Sequence, residues 1–226
     1  MRKHTMYGEA YFNLQLKSKN VDLSELNQFL STNGYTSSLS EDFMPLCLGV
    51  DMVFKRFVVG MGFNVMNSKS VKKQNQSQII YANQEFFIDI GYDLLKNEKL
   101  RLYPFVGFIH NSVSLDIRDL QDTIPTNFQE VFDNPSNNAT LFQGVTNIDL
   151  GLGFNYMFFI GERKTTCGKA KIYLPIGIKT GYNIQYSDGA WHLNNNPLNN
   201  SPAIDYSGPY VSINIGYGIK QNLNKD

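Results

Sequence analysis

The chain has 226 residues, with 20 Lys+Arg against 20 Asp+Glu and a pI near 6.8, which excludes the basic stripe of a nucleic-acid binder. Mean hydropathy is −0.28, and no run approaches the roughly 20 apolar residues of a transmembrane helix. A membrane-spanning β-barrel escapes both tests, because half of each of its strands is polar.

Met1 to Tyr7 carries basic residues with no apolar run behind them, so it does not read as a secretory signal peptide. An exported protein would then have lost its signal; otherwise the protein is not exported. Met6 to Leu16 alternates, with Met6, Ala10, Phe12, Leu14 and Leu16 on one parity and Glu9 on the other. Side chains alternate across a strand, so this is a strand with one apolar face. The period then changes. Val21 to Leu30 sets Val21, Leu23, Leu26, Phe29 and Leu30 near one side of a helix. Asp22 is its expected cap, with Glu25 in capping-box spacing and Asn33-Gly34 as the stop.

Leu46 to Phe54 and Phe57 to Met66 read as two strands joined at Lys55-Arg56, followed by a polar loop from Asn67 to Gln78. Ile80 to Leu94 is the next strand, and Lys96 to Lys99 a short turn. Leu100 to Leu115 alternates weakly, so a bulge could reverse its upper half. A long polar loop, Asp116 to Thr140, leads to a strand from Leu141 to Phe159. Ile172 to Tyr186 has the clearest alternation: Ile172, Leu174, Ile176 and Ile178 oppose Tyr173, Pro175, Gly177 and Lys179. At ~3.3 Å per residue it would span roughly 50 Å, longer than ordinary globular strands of roughly 3–10 residues. A loop from Ser187 to Ser207 holds the only Trp, Trp191, and Pro209 to Lys220 is the last strand.

The pattern predicts an all-β fold: a single antiparallel up-and-down transmembrane β-barrel of about eight strands, one domain over 1–226, with a short helix in the first long loop. Connections alternate between long and short, which places both termini on the short-turn side. The expected lipid-facing set is Leu48, Val50, Ile88, Ile90, Leu150, Leu152, Ile176, Ile178, Ile213 and Ile215. The expected lumen network is Glu9, Asp51, Glu85, Asp89, Arg101, Asp149 and Lys179, acid-rich, with Lys179 near Asp149 or another inner carboxylate. A barrel of eight strands is only wide enough for side chains to fill it. A plug is therefore favoured over a small pore. Phe54, Phe57, Tyr92, Phe158 and Tyr217 would form one aromatic girdle, and Tyr182 and Tyr186 the other.

Chemistry is sparse. Cys47 and Cys167 lie far apart, in no metal or redox spacing, and read as unpaired thiols. His4 and His192 are isolated, and no metal or other cofactor is implied. His110 and Ser112, with Glu130 as a third member, are the one hint of a hydrolase triad. The two residues resemble the His-x-Ser motif of outer-membrane lipid A deacylases. The expectation is no enzyme and no catalytic residue; an outer-membrane lipid hydrolase is a second alternative.

From Met6 to Lys220 the chain resembles small bacterial outer-membrane β-barrels of the OmpA-like class. The segments Phe57-Val58-Val59-Gly60-Met61-Gly62-Phe63 and Leu102-Tyr103-Pro104-Phe105-Val106-Gly107 look most like the Bacteroidetes type. The resemblance implies an outer-membrane location and a structural or surface-interaction role through the loops. Its partners would be the lipid bilayer, lipopolysaccharide, and an extracellular ligand or protein. The alternative is a soluble lipocalin-like barrel with inverted polarity, binding a small apolar ligand.

Overall fold

The computed structural model describes residues 7–65, 69–73, 77–95, 97–119, 139–165 and 168–222. In chain order its elements are β1 (Tyr7–Asn20), α1 (Ser24–Thr32), β2 (Asp42–Phe43), β3 (Leu46–Phe54), β4 (Phe57–Val65), β5 (Lys69–Lys73), β6 (Ser77–Tyr92), β7 (Leu100–Asp119), β8 (Ala139–Thr165), β9 (Gly168–Asp188), β10 (His192–Leu193), β11 (Asn196–Pro197) and β12 (Gly208–Asn222). Eight of the strands form a closed antiparallel ring in the order β8-β7-β6-β4-β3-β1-β12-β9, with β9 returning to β8. Closure removes every edge from that ring, which is what a sheet must do in lipid. Tyr7 pairs with Asn222, so the described ends of the chain meet at one rim. The turn at Lys55-Arg56 lies at that same rim. Phe57 and Tyr92 pack edge to face there, with ring centroids 5.4 Å apart.

Several elements differ from the sequence expectation. The helix starts at Ser24 with Leu23, not Asp22, at its N-cap; Asp22, one residue earlier, accepts the Ser24 backbone N–H at 2.8 Å. Glu25 does not complete a capping box; it accepts the backbone N–H of Ala203, 2.9 Å away. Gly34 follows the helix at φ +85°, where a residue without a Cβ is at ease. Part of the expected polar loop 67–78 is strand: β5 pairs with β6 and turns Val71 inward. β1 runs four residues past Leu16, to Asn20, which brings Lys17 and Lys19 into the barrel.

β7 has no bulge. Its pairing with β8 runs unbroken from Leu100↔Tyr156 to Ile117↔Ala139. The weak alternation has another cause, because the strand carries two opposite patterns in succession. From Leu100 to Phe108 the outward side chains are apolar, and the inward ones include Arg101 and Tyr103. From His110 to Asp116 the outward side chains are His110, Ser112, Ser114 and Asp116, while Val113 and Leu115 are buried inside. The same change occurs on β6 at Gln84, which pairs with Ser112, and on β8 at Thr146, which pairs with His110. Gln84, Ser112, His110 and Thr146 thus mark a dividing row across β6, β7 and β8, stepped by two residues between the Gln84–Ser112 and His110–Thr146 pairs. Below it the polarity suits lipid outside; above it β7 turns a face outward that suits water, while Phe142 of β8 stays exposed there.

Candidate functional site

The lumen is filled from the short-turn rim upward by three charged groups. At the base, Arg101 donates to Glu9 and lies 3.7 Å from Asp93. Lys220 reaches Glu9 at 3.2 Å and Glu98 at 3.6 Å. Glu98 sits in the turn outside the wall, and Lys220 holds its carboxyl below the usual range.

In the middle, Lys179 is 3% exposed and lies 3.2 Å from Asp89 and 4.0 Å from Asp51. Its ammonium also lies 5.4 Å from the Phe105 ring centroid, 5.9 Å from Tyr103 and 6.0 Å from Phe87. A buried ammonium is tolerated where carboxylates and ring faces replace water. Asp89 fits because its cross-strand neighbours are Gly60 and Gly107. A Cβ at Gly60 would come within 2.6 Å of the Asp89 carboxylate.

In the upper group, Glu85 accepts from Lys17 at 3.0 Å and also from Lys19 and Asn64. Asp149 does not meet Lys179. It accepts the Tyr210 hydroxyl at 2.9 Å, and Lys17 lies over the Tyr210 ring, 4.2 Å from its centroid. Lys17 and Lys19 narrow the expected acid excess: among the described residues five inward bases, Lys17, Lys19, Arg101, Lys179 and Lys220, face six acids, Glu9, Asp51, Glu85, Asp89, Asp93 and Asp149. Their signal was present, since both continue the odd parity of Tyr11, Asn13 and Gln15. The space left among Lys17, Glu85, Asp89, Asp149 and Lys179 is about 20 Å³, room for about one water.

Above the charges the mouth is closed by a second core. Val21, Leu23, Leu26 and Leu30 from the first loop pack with Trp191, Ile204 and Tyr206 from the last loop. Both meet the inward Ile79, Tyr81, Val113, Leu115 and Val145 of the upper wall. Trp191 donates its indole N–H to the Pro202 carbonyl at 3.0 Å. The Tyr206 hydroxyl bonds that of Tyr81, and burial pushes the Tyr206 phenol well above its ordinary value. The loops Asn20–Ser40 and Ser187–Ser207 thus form a folded cap; 120–138, with Glu130, lies outside the described residues. Cys167 and His4 lie outside them too, while Cys47 is a buried free thiol.

The outer surface below the dividing row is an apolar belt. Ile88, Ile90, Leu150, Leu152, Ile176, Ile178, Ile213 and Ile215 are exposed; Leu48 and Val50 point the same way and are half-buried. Phe54, Phe57, Tyr92, Phe158 and Tyr217 are exposed on it, as are Tyr182 and Tyr186. His110 and Ser112 face outward and exposed at the row, and the His110 ring lies 3.3 Å from the Thr146 hydroxyl. Glu130, the expected third member, lies outside the described residues.

No protein-family model matches the chain, and neither does any curated protein. Solved structures do. The attachment invasion locus protein Ail of Yersinia pestis aligns over 96% of this chain and 99% of its own at 11% identity, with a TM-score of 0.40. The outer-membrane protein OprG of Pseudomonas aeruginosa aligns over 96% of each at 13% identity, TM-score 0.40. The outer-membrane protease OmpT of Escherichia coli aligns over 98% of each at 9% identity, TM-score 0.34. The architecture itself is more telling than these distant likenesses: a closed eight-stranded meander, charged within and apolar without, is a transmembrane β-barrel of the outer-membrane type.

Proposed function

We propose that this protein is a sealed outer-membrane barrel that presents a folded cap to the exterior, with a structural or surface-interaction role rather than a catalytic or conducting one. The observation that carries this is the reversal along β7, where an apolar outward face up to Phe108 gives way to His110, Ser112, Ser114 and Asp116 outward, with Val113 and Leu115 inside. Below the row the belt meets the bilayer, and lipopolysaccharide surrounds the outer rim. Above it the cap offers loop surface, and rigid scaffolds commonly carry binding on such loops. A soluble carrier would keep its oily side inward along the whole strand, whereas only the cap does so.

Two measurements test this. In planar bilayers the purified protein should give no stable single-channel steps, because paired charges fill the lumen. Reproducible steps would refute the seal. The second uses the turn at Asn194-Asn195, where both residues have positive φ, 49° and 68°, as a two-residue hairpin of type I′ requires. A short epitope inserted there should be labelled by antibody on intact cells. Labelling only after the outer membrane is broken would place the cap on the wrong side.

A further inference from the structure

We infer that the cap is also a small-molecule site, taking a single-ring aromatic or short branched aliphatic molecule; this rests on the capped-barrel reading above and names a ligand class for it. A cavity of about 210 Å³ opens at the mouth, between helix, wall and last loop. Leu26 and Leu30 of α1 form one side, Leu115 and Leu141 of the wall another, and Trp191 and Leu198 the third. Mouths of barrels are a recurrent place for such pockets. A dry cavity of about 150 Å³ lined by Leu, Ile and Phe already takes benzene, so this one has room for a ring with a substituent.

The chemistry of the lining selects the ligand. The Trp191 indole N–H points to the Pro202 carbonyl and is already satisfied. The Ser201 hydroxyl is engaged by the Leu198 carbonyl at 3.3 Å. The deep end therefore offers no donor to a polar ligand atom, and a polar group placed there would lose its water without replacement. Polar side chains stand only at the rim, where Asn199 and Asn200 are exposed. The ligand enters with its apolar end first and keeps any polar substituent at those two residues. The lumen cannot pass it onward, because the space beneath is about 20 Å³ and charged. This is a receptor site at a closed mouth, not the entrance of a channel.

Trp191 makes the site readable, since it is the only tryptophan of the chain and lines the cavity. The full-length protein in phospholipid vesicles is titrated with iodobenzene, a heavy-atom quencher, while indole emission is followed. Quenching should saturate, and toluene should restore the emission by competition. Leu198→Phe and Leu141→Phe each fill the cavity and should weaken half-saturation at least tenfold. Heat-modifiable gel migration, unchanged in both, would confirm that the barrel is folded; if one variant misfolds, the other carries the comparison. Quenching that rises linearly without saturation overturns the site. So does saturable quenching that both filled variants leave unchanged, since that reports partition into lipid. Failure of the barrel reading is distinguishable: channel steps, or a protein that stays soluble without detergent, would leave this titration still readable in its own terms.

Discussion

Lys179→Met is expected to destabilise the folded barrel by about 3–5 kcal/mol, the usual consequence of removing one partner from a buried charge group. The side chain is 3% exposed, and both of its carboxylate partners are buried, Asp51 at 5% and Asp89 at 4%. Methionine matches the length of lysine, so the loss is of charge and not of volume. It leaves Asp51 and Asp89 together near three aromatic rings, without the ammonium that faces them both. Adding Asp89→Asn should recover part of the loss, because one of the stranded charges disappears. A coupling of 1 kcal/mol or more between the two changes is expected for residues in one network, within the roughly 0.5–3 kcal/mol such pairs show. Urea titration of vesicle-embedded protein, followed by gel mobility, measures both variants. If Lys179→Met is as stable as the parent, the charges are not what holds the centre of the barrel together.

The alternation in Ile172 to Tyr186 is enough to separate Ile178 from Lys179, because a strand forces neighbours to opposite faces. It is not enough to choose Asp89 and Asp51 over Asp149 as partners. That choice depends on strand stagger and on where Gly60 and Gly107 leave room, and both join segments far apart in sequence. Lys17 and Lys19 were missed for a different reason. A strand read as ending at Leu16 treats the polar run after it as loop, although its parity continues unbroken. β7 shows a third kind of limit. A single polarity rule applied to all of it fails, since its outward side chains are apolar up to Phe108 and polar from His110 on. The rule holds within each half, and the point where it changes is itself the most useful position in the strand. The cap pocket was out of reach altogether. Its walls come from five segments, α1, β6, β7, β8 and the last loop, and Leu26, Leu141 and Leu198 share no periodicity that could announce them.

Ile213→Arg decides which solvent surrounds the lower belt. Ile213 is 61% exposed and sits between the pairing partners Leu16 and Ile178. If that surface met water, an exposed arginine would change stability by no more than about 0.5 kcal/mol, as most surface substitutions do. In the middle of a bilayer the same arginine costs about 2–4 kcal/mol. The cost should be absent or small for Ser112→Arg, which also faces outward but lies at the dividing row, where charges cost about 0–1 kcal/mol. The pair thus measures depth as well as environment. Equal and small effects at both positions would mean that the belt is not in lipid, and the sealed outer-membrane barrel would have to be abandoned. A large effect at Ile213 with a small one at Ser112 would place the lower belt in lipid and Ser112 near the membrane surface. It would also explain why β6, β7 and β8 run on above that row. Their upper halves would then be the wall of a water-facing cap, with the inward Tyr81, Val113 and Val145 in its core.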